Sequence, residues 1–146
     1  MTAKEILTRP KRLKAEIRAD MDNLIALRAM AESCTSHLET ACGSHSQGQR
    51  GGLESIIIRL AEEEKRVNEN IGLLAEAEKE AMELIRKLKD PNDRAIMMTR
   101  YVQERAWPDV AKKSFVGRTT ALAHHRKALQ ELDEYLRLRK EEKGAA

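Results

Sequence analysis

This chain has little of what fills a globular core by size: aromatics make up 3% of its 146 residues, as one Trp, one Phe and two Tyr. Leu, Ile, Met and Ala must supply the core instead. Its two cysteines provide no disulfide framework and suit a reducing compartment. No apolar run approaches the ~20 residues that span a bilayer, and the charged start Met1-Thr2-Ala3-Lys4-Glu5 is not a signal peptide. A soluble cytoplasmic protein with no membrane role is expected. The chain also lacks a Gly-rich phosphate loop and any Ser-His-Asp or Cys-His arrangement with a supporting context, so neither an enzyme nor a cofactor is expected. One further absence is local. Positions 110–130 contain no Asp or Glu, while Lys112, Lys113, Arg118, Arg126 and Lys127 are basic.

What is abundant is Ala, Glu, Lys, Leu and Arg, with 35% of residues charged, which favours long helices. The net charge of +3 divides unevenly. Residues 1–91 hold 15 bases against 16 acids, a net of −1, whereas residues 92–130 hold 8 against 3, a net of +5. A polyanion partner is therefore tied to the C-terminal part.

Along the chain, Thr2 and Glu5 have the spacing of a capping box that opens a helix. Pro10 removes a helical hydrogen bond, and a kink or fresh start is expected near Arg9. Leu13, Ile17, Leu24, Leu27 and Ala31 then recur at heptad spacing, with Asp20 as a polar intruder, and the helix should end near Glu32 or Ser33. Residues 34–52, rich in Ser, Thr and Gly, read as a flexible loop. From Leu53 the positions 53, 57, 60, 64, 67, 71, 74, 78, 81, 85 and 88 form a seam interrupted by Glu64 and Glu78. The two helices should fold into an antiparallel hairpin. The second outruns the first, so part of its seam must meet the chain's start, the C-terminal module or a second copy. Glu64 and Glu78 are best read as setting the register, or as pairing with Lys or Arg across the hairpin.

Pro91 stops the long helix, and Asp93 can cap a third one over about 94–103. Pro108 suits the first turn of a helix over about 107–113, and a last helix starts near Gly117 or Arg118. The expected fold is thus all-α: a coiled-coil-like hairpin over 1–90, then a three-helix helix-turn-helix module over 91–146. In such a module Arg118, Thr119 and Thr120 occupy the turn that reaches base edges, and Arg118 can pair with guanine. Lys112, Lys113, Arg126 and Lys127 suit phosphates, and His125 is a further candidate DNA contact. Two stripes compete on the last helix: one buries His125, the other Ala121 and His124. Trp107 reads as a core anchor.

Asp90-Pro91, Arg94, Arg100-Tyr101, Trp107, Val110-Ala111, Val116, Arg118 and Lys127-Ala128-Leu129 together resemble small phage-encoded regulators of the RinA and ArpU type. This C-terminal part is also similar to region four of bacterial sigma factors. The resemblance implies a double-stranded-DNA-binding activator of phage late genes, acting in a bacterial host and contacting its RNA polymerase. The chain departs from the pattern at Phe115, where the turn usually carries Gly, and at the apolar Ala121-Leu122-Ala123 in the recognition helix. Two other readings are a phage packaging protein resembling terminase small subunits, which would form a ring, and a helical scaffold that binds no DNA. Cys34-x-x-His37 and Cys42-x-x-His45 offer zinc-type ligands in an uncommon arrangement, and no metal site is expected.

Overall fold

The computed structural model describes the backbone of residues 1–40 and 47–145, and the side chains of residues 1–36 and 52–145. Among these residues there are five α-helices and no strand: α1 (Ala3–Thr40), α2 (Gln47–Ile85), α3 (Pro91–Met97), α4 (Trp107–Lys113) and α5 (Arg118–Ala145). A π-helical turn, Met98–Val102, continues α3. No described helix is long and apolar enough to cross a membrane.

The helix starts follow their capping chemistry. Thr2 Oγ1 accepts the Glu5 N–H at 3.3 Å, and Glu5 Oε2 accepts the Thr2 N–H at 2.9 Å, which closes the expected capping box. Pro10 does not interrupt α1, which runs unbroken through it. The start of α3 differs from expectation. Asp90, extended at ψ 121°, is the cap, accepting the Asn92 N–H at 2.8 Å; Pro91 takes the first helical position and Asp93 lies inside the helix. A proline has no N–H to satisfy there, so it opens the helix three residues earlier than the Asp93 reading implied.

By contacts the chain divides into two compact units, Leu13–Leu74 and the combination of Met1–Arg12 with Ala75–Ala146. Both ends of the hairpin's sequence therefore group with the C-terminal helices in the second unit.

In the first unit α1 and α2 pack along one seam. Asp20 Oδ2 accepts a hydrogen bond from Asn70 Nδ2 at 3.2 Å, and Arg28 pairs with Glu64 at 3.1 Å. Advancing along α1 therefore means retreating along α2, and the pair is antiparallel. Leu13, Ile17, Leu24 and Leu27 are buried as the heptad pattern requires. On α2 the phase is shifted. Ile56 and Val67 are buried and Glu63 and Asn70 half-buried, while Ile57 and Ile71 stay exposed. The seam follows 53, 56, 60, 63, 67, 70 and 74, so every second position lies one residue before the one the pattern suggested. The Asp20–Asn70 bond accounts for this, because a polar group in a seam needs a polar partner and thereby fixes the register.

The expected loop over 34–52 is shorter on both sides, since α1 continues to Thr40 and α2 begins at Gln47. Thr35 Oγ1 donates to the Ala31 carbonyl at 2.9 Å, and half-buried Cys34 occupies the next heptad position, so the polar residues extend the helix. Cys42 and His45 lie outside the described residues, and the side chain of His37 outside the described side chains.

The second unit centres on Ala3, Ile6, Leu7, Ala81, Leu84, Ile85, Leu88, Met97, Ala128 and Leu132, all buried. Asp133 on α5 accepts the Ala3 N–H at 2.8 Å and ties the first turn of α1 to α5. Lys89 N–H donates to Glu131 at 3.0 Å, which holds the α2–α3 connection on the same helix.

Candidate nucleic-acid interface

Helices α3, α4 and α5 pack closely because small side chains lie at their contacts. Ala111, Ala121 and Ala128 are buried, as are Val110, Ile96 and Met97. Between α4 and α5 lie only residues 114–117. The Val116 N–H bonds the Ala111 carbonyl at 3.1 Å and the Phe115 N–H bonds that of Lys112 at 3.3 Å. These two bonds form a Schellman cap. The motif needs a left-handed residue at its next-to-last position, just past the helix, and Phe115 supplies it with φ 57°. For a residue with a Cβ this costs about 1–2 kcal/mol. Gly117, two residues on, is not left-handed. The Phe115 ring is 96% exposed.

Two clusters lock the three helices. In the first, fully buried Asp93 accepts the His124 Nδ1–H at 2.6 Å through Oδ1. Its Oδ2 accepts no hydrogen bond and faces the Lys127 ammonium at 3.5 Å, which is also 3.5 Å from Asp90 Oδ2. Asp93 chiefly raises the Lys127 pKa, while the Asn92 N–H and then Lys127 lower that of Asp90. Asp90, Asp93 and His124 place three potential metal ligands within 4.8 Å of one another. The Lys127 ammonium lies against both carboxylates there.

In the second cluster the Tyr101 hydroxyl and His125 Nε2 share a hydrogen bond of 2.6 Å. The Trp107 ring meets His125 edge-on at 4.7 Å between centroids, and the Arg100 guanidinium lies 4.9 Å over the indole. Arg100 also donates to the Arg105 carbonyl at 2.9 Å. Burial, reinforced by Arg100, pushes the His125 pKa below its ordinary value. Trp107 is half-buried between His125 and Arg100 and stands outside the buried cluster. Neither of the competing stripes describes α5 alone: Ala121, Ala128 and Leu132 are buried and both histidines are half-buried with partners of their own.

The eight residues singled out for DNA therefore separate. Arg118, Thr119, Thr120, Lys112, Lys113 and Arg126 are exposed, and Arg118, Lys112 and Arg126 make no ion pair with any described residue. Lys113 donates to the Gln103 side-chain carbonyl at 3.4 Å. Lys127 is engaged by two carboxylates, and His125 by Tyr101 and Trp107. Sequence reasoning missed Asp93, Tyr101 and Arg100 as partners, because each contact joins residues that only the tertiary packing brings together. Comparisons with protein-family models, curated proteins and solved structures find no match to this chain.

Proposed function

We propose that this protein is a sequence-specific DNA-binding regulator of transcription, with α3, α4 and α5 acting as a helix-turn-helix. One observation carries the reading: residues 110–130, from within α4 through the turn into α5, expose Lys112, Lys113, Arg118 and Arg126 and contain no acid. Uncompensated cations on closely packed short helices suit a phosphate backbone. On this reading Arg118, Thr119 and Thr120, exposed at the start of α5, reach base edges. The resemblance to RinA- and ArpU-type regulators extends the proposal to activation of phage late genes through host RNA polymerase. Selection of bound fragments from phage and host genomic DNA tests it. A recurrent site that raises transcription by purified polymerase is expected, and enrichment of no fragment would contradict the reading.

The hairpin provides a surface for a second copy. Heptad spacing places Met21 and Lys14 on the flank of α1 that carries Arg28, with Arg18 and Ile25 beside them. It likewise places Ile57 and Ile71 on the flank of α2 that carries Glu64. Met21, Ile25, Ile57 and Ile71 are all exposed, Ile25 at 63%. Setting α1 of one copy on α2 of another covers the apolar residues in a four-helix bundle. Light scattering should give a dimer, and Ile25→Glu with Ile71→Glu a monomer of unchanged helicity. A wild-type monomer contradicts the dimer, and a ring of many copies favours the packaging-protein reading.

A further inference from the structure

The fold gains nothing from the ring of Phe115. Its backbone is left-handed, a conformation glycine adopts without strain, and its ring is 96% exposed. A large apolar group that is both strained and solvated is a cost that intramolecular packing does not repay. Its surroundings are specific. Lys112, Lys113 and Arg118 lie within three residues of it, all exposed, and the next acid in either direction is Asp109 or Glu131. Phe115 also lies three residues before the start of α5, where Arg118, Thr119 and Thr120 are exposed.

We propose that Phe115 is a DNA-contacting residue whose ring packs against thymine methyl groups in the major groove. This rests on the DNA-binding reading above. An apolar ring bracketed by cations is poorly matched to a hydrophobic protein pocket, where those cations would lose their water, and well matched to a polyanion that presents apolar groups between its phosphates. In the major groove of a duplex the thymine 5-methyl is the apolar group offered to side chains. The contact supplies sequence information that Ala121, buried, and Leu122, half-buried, cannot.

The experiment compares the full-length protein with Phe115→Gly and Phe115→Leu. Each is titrated into the duplex most enriched by the wild type from genomic DNA, and into the same duplex made with deoxyuridine in place of thymidine. Phe115→Gly should melt a few degrees higher, because strain is relieved, yet bind the thymine duplex roughly tenfold more weakly. Phe115→Leu should keep most of the affinity. The wild type should lose affinity on the uracil duplex, while Phe115→Gly should bind both duplexes alike. The proposal is overturned if Phe115→Gly binds as tightly as the wild type, if uracil penalises both equally, or if Phe115→Gly melts lower, which would make the ring part of the fold. Binding of no duplex by the wild type removes the DNA reading itself and this inference with it, an outcome distinct from wild-type binding that ignores Phe115.

Discussion

The unit Leu13–Leu74 and the unit built from Met1–Arg12 and Ala75–Ala146 are both helical, yet they reach a unique structure by different means. The first repeats one contact. Leu13, Ile17, Leu24 and Leu27 line α1, Ile56 and Val67 line α2, and a single polar pair, Asp20 with Asn70, chooses the phase. The second depends on contacts that occur once each, such as Asp93 with His124 and Lys127, Tyr101 with His125, and Arg100 over Trp107. A repeated seam spreads its stability over many residues and tolerates change at each. A set of single contacts concentrates it, and a few substitutions should dominate.

The sharpest way to break this contrast is at Asp93. Asp93→Ala removes a buried carboxylate that bonds His124 at 2.6 Å and faces Lys127 at 3.5 Å. The loss should be about 2–3 kcal/mol of unfolding free energy by urea titration. A change near zero would mean that this cluster does not hold α3 to α5.

A smaller effect tests the seam through two adjacent isoleucines. Ile56→Ala should cost about 2 kcal/mol, because Ile56 is 8% exposed, whereas Ile57→Ala at 50% exposure should stay within about 0.5 kcal/mol in dilute protein. Equal costs would restore the phase suggested by the apolar pattern.

The smallest effect is a pH dependence. The folded pKa of His125 lies below its ordinary 6.5, through burial and then Arg100. Above pH 6.5 the ring is neutral in both states and its contribution is fully present. As the pH falls below that value the unfolded chain binds a proton first, so stability drops until the folded ring titrates too. His125→Phe keeps the contact with Trp107 and loses the titration, so its melting temperature should fall less steeply below pH 6.5 than that of the wild type. Parallel slopes would assign the dependence to other groups.

How much the sequence shows follows the same contrast. The hairpin was legible because heptad spacing repeats, and the Thr2–Glu5 cap and the helix Trp107–Lys113 were legible because capping and proline chemistry are local. The phase of α2 was not, since positions 56, 63, 70 and 77 and positions 57, 64, 71 and 78 each carry two polar residues or a small one, and only the Asp20–Asn70 pair decides. In the candidate interface, exposure at Arg118, Thr119 and Thr120 agrees with a helix start. The engagement of Lys127 could not be read, because Asp93 lies on another helix and its burial depends on how α3 meets α5. Residues 34–40 do not read as helical, because Ser and Thr are loop signals, whereas the Thr35–Ala31 bond satisfies the hydroxyl within the helix.

The salt dependence of duplex binding tests the central proposal most directly. With Lys112, Lys113 and Arg126 on phosphates and Arg118 on base edges, log K against log salt concentration should fall with a slope of about −3 per bound chain. Lys112→Ala with Lys113→Ala should flatten it by about 2, and Lys127→Ala should leave it unchanged because Asp90 and Asp93 already hold that ammonium. A slope near zero, or one that Lys112→Ala with Lys113→Ala does not alter, would contradict a DNA-binding role for this surface.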